Sequence, residues 1–177
     1  MTFSWPNGKL CAVSMSHDDG WSSQISQASI LENAGFRGTF YLTQNIVKSY
    51  DLPAWRTVSS AGHEIGNHGY GHARPTGTWQ TVANDVGLQE WWMWQQVVGT
   101  IRPHTFAHPF GDLAIGPTPM NPQQRDVGAA EYVALLSHSV SGARSALSGE
   151  NAPEDVWKNR FLLRANSYNI SVPNVIS

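Results

Sequence analysis

Two adjacent aspartates, Asp18 and Asp19, and two histidines four residues apart, His68 and His72, are the side chains in this sequence best suited to chemistry. Imidazoles at that spacing can face one cation, on a helix or in a compact turn. Gly69 and Gly71 flank Tyr70 between them, which disfavours a regular helix and predicts a turn. Two histidines and one carboxylate form a facial ligand set for a divalent metal, with positions left open for water and substrate. Either aspartate offers the carboxylate. Successive side chains of an extended segment point in different directions, so one can bind the cation while the other stays free as a base. Plainer readings exist for each half. The histidines could be surface residues of a Gly-rich loop, and Asp18-Asp19-Gly20 could be a turn or a helix N-cap before Trp21-Ser22-Ser23. The two clusters together favour the metal.

The elements that must position these residues alternate between strand and helix. Leu10 to Ser16 reads as an apolar strand that ends in His17-Asp18-Asp19-Gly20. Ser22 to Asn33 has a helical period and stops at Ala34-Gly35. Thr39 to Leu42 is a β-branched and aromatic strand, and Trp55 to Ala61 is a second helix closed by Gly62. His63 to Gly66 is a third strand, followed by the histidine loop. Trp79 to Val98 is the longest helix. Thr105 to Ala107 then enters His108-Pro109-Phe110-Gly111-Asp112, Tyr132 to Leu136 reads as a fifth strand, and Phe161 to Leu163 as a sixth. This order implies parallel strands joined by crossovers. Polar clusters follow Ser16, Gly66 and Ala107, at the carboxyl ends where sites assemble in such architectures. The clusters are therefore expected to meet in space.

The chain's 177 residues, 41% of them hydrophobic, suit one domain with a sizeable core over residues 1–177. A formal net charge of -2 gives no electrostatic reason to expect nucleic acid or an anionic membrane as partner. No apolar run is long enough to span a membrane. Met1 to Gly8 lacks the basic-then-apolar pattern of a signal peptide. The lone Cys11 reads as a core residue of the first strand. Eight tryptophans serve as core filler, although an indole also stacks on the apolar face of a sugar ring; for Trp91, Trp92 and Trp94 helix packing is the favoured reading.

The motifs resemble the polysaccharide deacetylases of carbohydrate esterase family 4, the NodB-homology domain. Ser16-His17-Asp18-Asp19-Gly20 is similar to the family's Thr-Phe-Asp-Asp-Gly motif. Gly62 to His72 is similar to the second motif, with its two metal-binding histidines, and Phe106 to Gly111 to the third, which ends in Pro-Tyr-Gly or Pro-Phe-Gly. Gly35 to Tyr41 is similar to the family's second strand, so the likeness runs from about Lys9 to Asp112. The resemblance implies an α/β fold, a distorted (β/α) barrel that here is shortened or open. It implies Asp18 as catalytic base, Asp19, His68 and His72 as ligands of a divalent metal, commonly zinc, and the backbone N–H of Phe110 as oxyanion donor. It implies an acetylated carbohydrate as partner, release of acetate, and a secreted or extracytoplasmic setting.

The sequence departs from the family pattern at several positions. His17 replaces a phenylalanine and reads as a ring packed under the site. Gly69 replaces a serine or threonine that hydrogen-bonds within the metal loop. For the arginine that orients the base, Arg102 is the nearest residue upstream of the third motif. His108 stands where an aromatic is common and reads as packing; His63 reads as structural and His104 as a loop residue. The family's general acid is a late histidine, and His138 is the only histidine beyond His108, although its spacing from Gly111 is short. Two other functions compete: a cyclic amide or imide hydrolase on the same fold, and a sugar-binding relative that has lost catalysis.

Overall fold

The computed structural model describes residues 6–8, 12–99, 103–149, 151–152 and 158–165. Cys11 and Arg102 lie outside them. Five strands, β1 (Ser16–Asp19), β2 (Thr39–Leu42), β3 (Glu64–Asn67), β4 (Phe106–Ala107) and β5 (Ala143–Arg144), form one sheet in sequence order. Every neighbouring pair is parallel. Four helices connect or cover them: α1 (Ser23–Asn33), α2 (Leu52–Ser60), α3 (Trp79–Met93) and α4 (Pro122–Ser137). The sheet curls into a half-barrel. Its two edge strands are β1 and β5, yet the Arg144 guanidinium on β5 reaches the Asp18 carboxylate on β1.

Side-chain alternation along the strands separates core from cleft. On β2, Phe40 and Leu42 face the helices and join Trp55, Val58, Ile65 and Met93 in one apolar cluster. Tyr41, between them, is in register with Asp18 on β1 and Gly66 on β3. Gly66 is required here, because a Cβ would come within 2.5 Å of the Tyr41 ring. Tyr41 carries the Arg144 guanidinium 4.7 Å above its ring and meets Thr105 Oγ1 through its hydroxyl at 2.7 Å. A second cluster, built on Val86, Phe106, Tyr132 and Leu136, fills the space between α3, α4 and the last strands.

Three expectations need correction. Among the described residues β1 begins at Ser16; the Met15 carbonyl still accepts from Thr39 N at 2.9 Å, but the Val13 and Met15 side chains are exposed, and Leu10 and Cys11 lie outside the described residues. Tyr132 to Leu136 is helix, not strand. A capping box sets α4 in motion at Asn121 and Gln124, with Pro122 in the first turn, and Tyr132, Leu135 and Leu136 then fall on one buried face. The fifth strand is instead Ala143–Arg144. The expected sixth strand is reduced to a parallel bridge between Leu163 and Arg144. The long helix extends from Trp79 through Met93 and continues as a π turn over Trp94–Val98, ending at a left-handed Gly99.

His63 is structural, as expected: its Nδ1 accepts from Gly38 N and its Nε2 faces Glu32 at 3.2 Å, tying β3 to α1. His108 packs edge-on to Phe106 and Tyr132, with Nε2 3.1 Å from the Phe161 carbonyl. A carbonyl only accepts, so Nε2 bears the proton. Burial lowers this histidine from 6.5 to about 4. A folded-state pKa below the unfolded one gives stability that is complete above pH 6.5 and is lost as the pH falls toward 4. Denaturant unfolding at pH 7 and pH 4 is expected to differ by roughly 3 kcal/mol from this residue alone. A His108→Gln protein should show a correspondingly flatter pH dependence, and an unchanged one would refute the assignment.

Candidate active site

The polar clusters that follow β1, β3 and β4 do meet at the carboxyl end of the sheet. Asp19 Oδ1 lies 3.4 Å from His68 Nε2 and 3.3 Å from His72 Nε2. One donor atom from each residue falls within 4.8 Å of the others, the one such group of three among the described residues. Donors about 2.0–2.1 Å from a tetrahedral zinc stand about 3.3 Å apart, which matches the two separations from Asp19 to the histidines.

The surrounding hydrogen bonds orient the same atoms. His68 is buried, and its Nδ1 lies 2.8 Å from the Ala107 carbonyl. The proton is therefore on Nδ1, and the Nε2 lone pair points at Asp19 and His72, the tautomer a metal ligand needs. Asp19 offers Oδ1 to the histidines while Oδ2 accepts from the Trp21 indole N–H at 3.0 Å. Burial, with the charge of His68 second, lowers His72 and favours its neutral form against the pull of Asp19 and Asp18. Three of the four non-glycine residues with left-handed backbone among the described residues belong to this cluster: Asp19 (φ 81°), His72 (φ 51°) and Phe110 (φ 57°). Strain of this kind collects where surrounding structure fixes a functional geometry.

Asp18 points into the half-barrel and pairs with Arg144. Arg144 is not conspicuous in the sequence, and Arg102, the cation expected here, lies outside the described residues. Gln24 adds a hydrogen bond from Nε2 to the Asp18 carbonyl, fixing the backbone between the two aspartates. His17 stacks on Phe40, centroids 5.1 Å apart, and so packs under the site as read from the sequence. Phe110 lies beside the cluster, its ring 4.7 Å from His72 and 4.3 Å from the Arg74 guanidinium, which in turn pairs with Asp112.

His138 does not reach the site. It caps the carboxyl end of α4, is exposed, and precedes β5, which puts it at the opposite end of the sheet from Asp19 and Arg144. Its candidacy followed from reading Tyr132–Leu136 as a strand and falls with it. His104 faces Glu90 at 2.8 Å at that same far end. There, too, Trp91 and Trp94 are exposed around a cavity of about 360 Å³, whereas Trp92 is buried in helix packing.

A sequence model described as polysaccharide deacetylase matches residues 7–125. The chain belongs to the polysaccharide deacetylase family. Among curated proteins this family member is similar to a gellan lyase from Bacillus sp, with 24% identity over 131 residues; the match spans 73% of this chain and 5% of the lyase. Its fold is similar to that of the Streptococcus pyogenes deacetylase PplD in complex with acetate, with a TM-score of 0.64 at 12% identity, covering 89% of this chain and 66% of that one. It is also similar to a family 4 pseudoenzyme from Bacillus anthracis, with a TM-score of 0.53 at 17% identity, covering 73% of this chain and 41% of that one. This polysaccharide deacetylase domain thus has the parallel half-barrel of a shortened NodB-type fold. No helix among its described residues is long and apolar enough to cross a membrane.

Proposed function

We infer that this chain is a metal-dependent deacetylase that hydrolyses acetyl groups on a carbohydrate polymer or oligomer. The observation that carries the reading is the convergence of Asp19, His68 and His72 at ligand spacing, next to an aspartate held by its own arginine. Asp19 Oδ1, His68 Nε2 and His72 Nε2 would hold the metal, with zinc favoured by the nitrogen-rich donor set. When bound, a divalent cation supplies Lewis acidity toward an acyl oxygen and eases the deprotonation of water.

The remaining work falls to the protein's own groups. Asp18 takes a proton from the attacking water, and its carboxylate is held in place for this by Arg144. The water oxygen adds to the acetyl carbon, and the backbone N–H of Phe110 faces the oxyanion that forms. Collapse breaks the bond to the sugar, the proton held by Asp18 passes to the leaving nitrogen or oxygen, and acetate departs with a free amino or hydroxyl group left on the sugar. Trp21, half exposed and bonded to Asp19, offers an indole face at the lip of the site for a sugar ring. Such a substrate fits an extracytoplasmic setting.

Acetate release from N-acetylglucosamine oligomers and from acetylated xylan tests the reading and divides the substrate class. Release from one substrate well above the other names the subclass. A second reading, a sugar-binding relative without catalysis, is favoured by the exposed Trp91 and Trp94. Binding of either glycan with no acetate release from any acetylated substrate would select it.

A further inference from the structure

The loop from His68 to His72 must hold two imidazoles on one point without the help of a helix. Its own sequence is poor in means for this, because Gly69 and Gly71 carry no side chain. The grip comes from outside. Asn67 Oδ1 accepts from Gly69 N at 2.7 Å, and Thr43 Oγ1 donates to the Gly69 carbonyl at 2.6 Å. The stretch next to His72 is held from α3. Asp85 Oδ1 accepts from Gly71 N at 2.7 Å, and Asp85 Oδ2 accepts from Tyr70 N at 3.2 Å. A carboxylate bound by two consecutive backbone N–H groups is a charge-assisted clamp, stronger than its neutral counterparts.

The same carboxylate crowds both glycines. Gly69 has φ +77°, and a Cβ there would lie 2.5 Å from Asp85 Oδ2. A Cβ on Gly71 would lie 3.2 Å from Asp85 Oδ1. The volume that a side chain at position 69 would fill is therefore filled by Asp85, reaching in from fourteen residues beyond Gly71.

We propose that Asp85 is a positioning residue for the metal centre: its carboxylate takes the place of a side chain at position 69 and sets the geometry of His72. The proposal rests on the metal reading of Asp19, His68 and His72. It implies that Gly69, Gly71 and Asp85 work as one interlocked unit, so that changing one alters the value of the others.

The test uses the full chain stripped of metal, titrated with zinc(II) against a chromophoric chelator and with cobalt(II) in the visible spectrum. Asp85→Ala is expected to weaken zinc binding by about 10–100-fold and to change the cobalt bands, which report ligand geometry. Gly69→Ala is expected to weaken binding in the same direction, and its penalty should shrink in the Asp85→Ala background, where the clash is gone. An Asp85→Ala protein with unchanged zinc affinity and cobalt spectrum overturns the proposal. If that variant does not fold, Gly69→Ala with unaltered affinity and spectrum overturns it. His72→Ala serves as control. Loss of binding there with none in Asp85→Ala refutes the positioning role alone, whereas retained binding in His72→Ala refutes the metal reading on which it rests.

Discussion

Asp18→Asn is expected to lower the turnover of acetyl hydrolysis by about 10²–10⁴-fold, the usual worth of a positioned general base, while zinc still binds. Asp18 and Asp19 are neighbours, but β1 turns Asp18 into the half-barrel, in register with Tyr41, while the left-handed backbone at Asp19 aims its carboxylate at the two histidines. The amide keeps the shape of Asp18 and can still bond to its neighbours, yet it cannot accept a proton from water. Zinc titration alongside steady-state kinetics checks the division of labour. A variant with more than about a tenth of the activity would place the base elsewhere. A variant that also loses zinc would show that both aspartates serve the metal.

Arg144→Ala is expected to cost about 10²-fold in kcat, with a smaller change in KM and zinc binding intact. Arg144 is mostly buried, lies over the Tyr41 ring and pairs with Asp18 across the open side of the half-barrel. Without it the carboxylate is free to rotate away from the water that the proposed mechanism has it deprotonate. Arg144→Lys keeps the charge but not the planar fork or the stacking on Tyr41, so partial recovery is expected. Full activity in Arg144→Ala would reduce the ion pair to a structural clasp between the edge strands. Equal loss in the lysine and alanine variants would show that the fork, not the charge, holds Asp18.

The contrast between these two residues shows what a single sequence reveals. Asp18, Asp19, His68 and His72 stood out because polar residues that interrupt an apolar pattern at strand ends are conspicuous, and the parallel alternation of elements required those ends to meet. Arg144 did not stand out. It sits in Ser141-Gly142-Ala143-Arg144-Ser145, a run of small residues without strand periodicity. β5 exists because its backbone pairs with β4 on one side and bridges Leu163 on the other, a tertiary effect that local pattern does not carry.

The misreading of Tyr132–Leu136 has a different origin. Five consecutive apolar or small residues fit a buried strand and a helix face equally well, and only the flanks decide. The deciding signal was present eleven residues earlier, in Asn121-Pro122-Gln123-Gln124, which is a capping box with proline in the first turn. Taking the run for a strand also brought His138 to the wrong end of the sheet. The positions of Asp85 and Trp21 were not legible at all, since a contact from α3 to the histidine loop, or from an indole to Asp19, depends on loop paths. The family likeness supplied roles for Asp18, Asp19, His68, His72 and Phe110, and the geometry supplies the partners that hold them.

The most direct test of metal-dependent deacetylation is acetate release from the preferred glycan by chelator-stripped protein, before and after zinc is restored. No release is expected from the stripped protein, with recovery on adding one equivalent of zinc and no recovery in His68→Ala. Full release from the stripped protein, or recovery that survives His68→Ala, would contradict metal-dependent deacetylation.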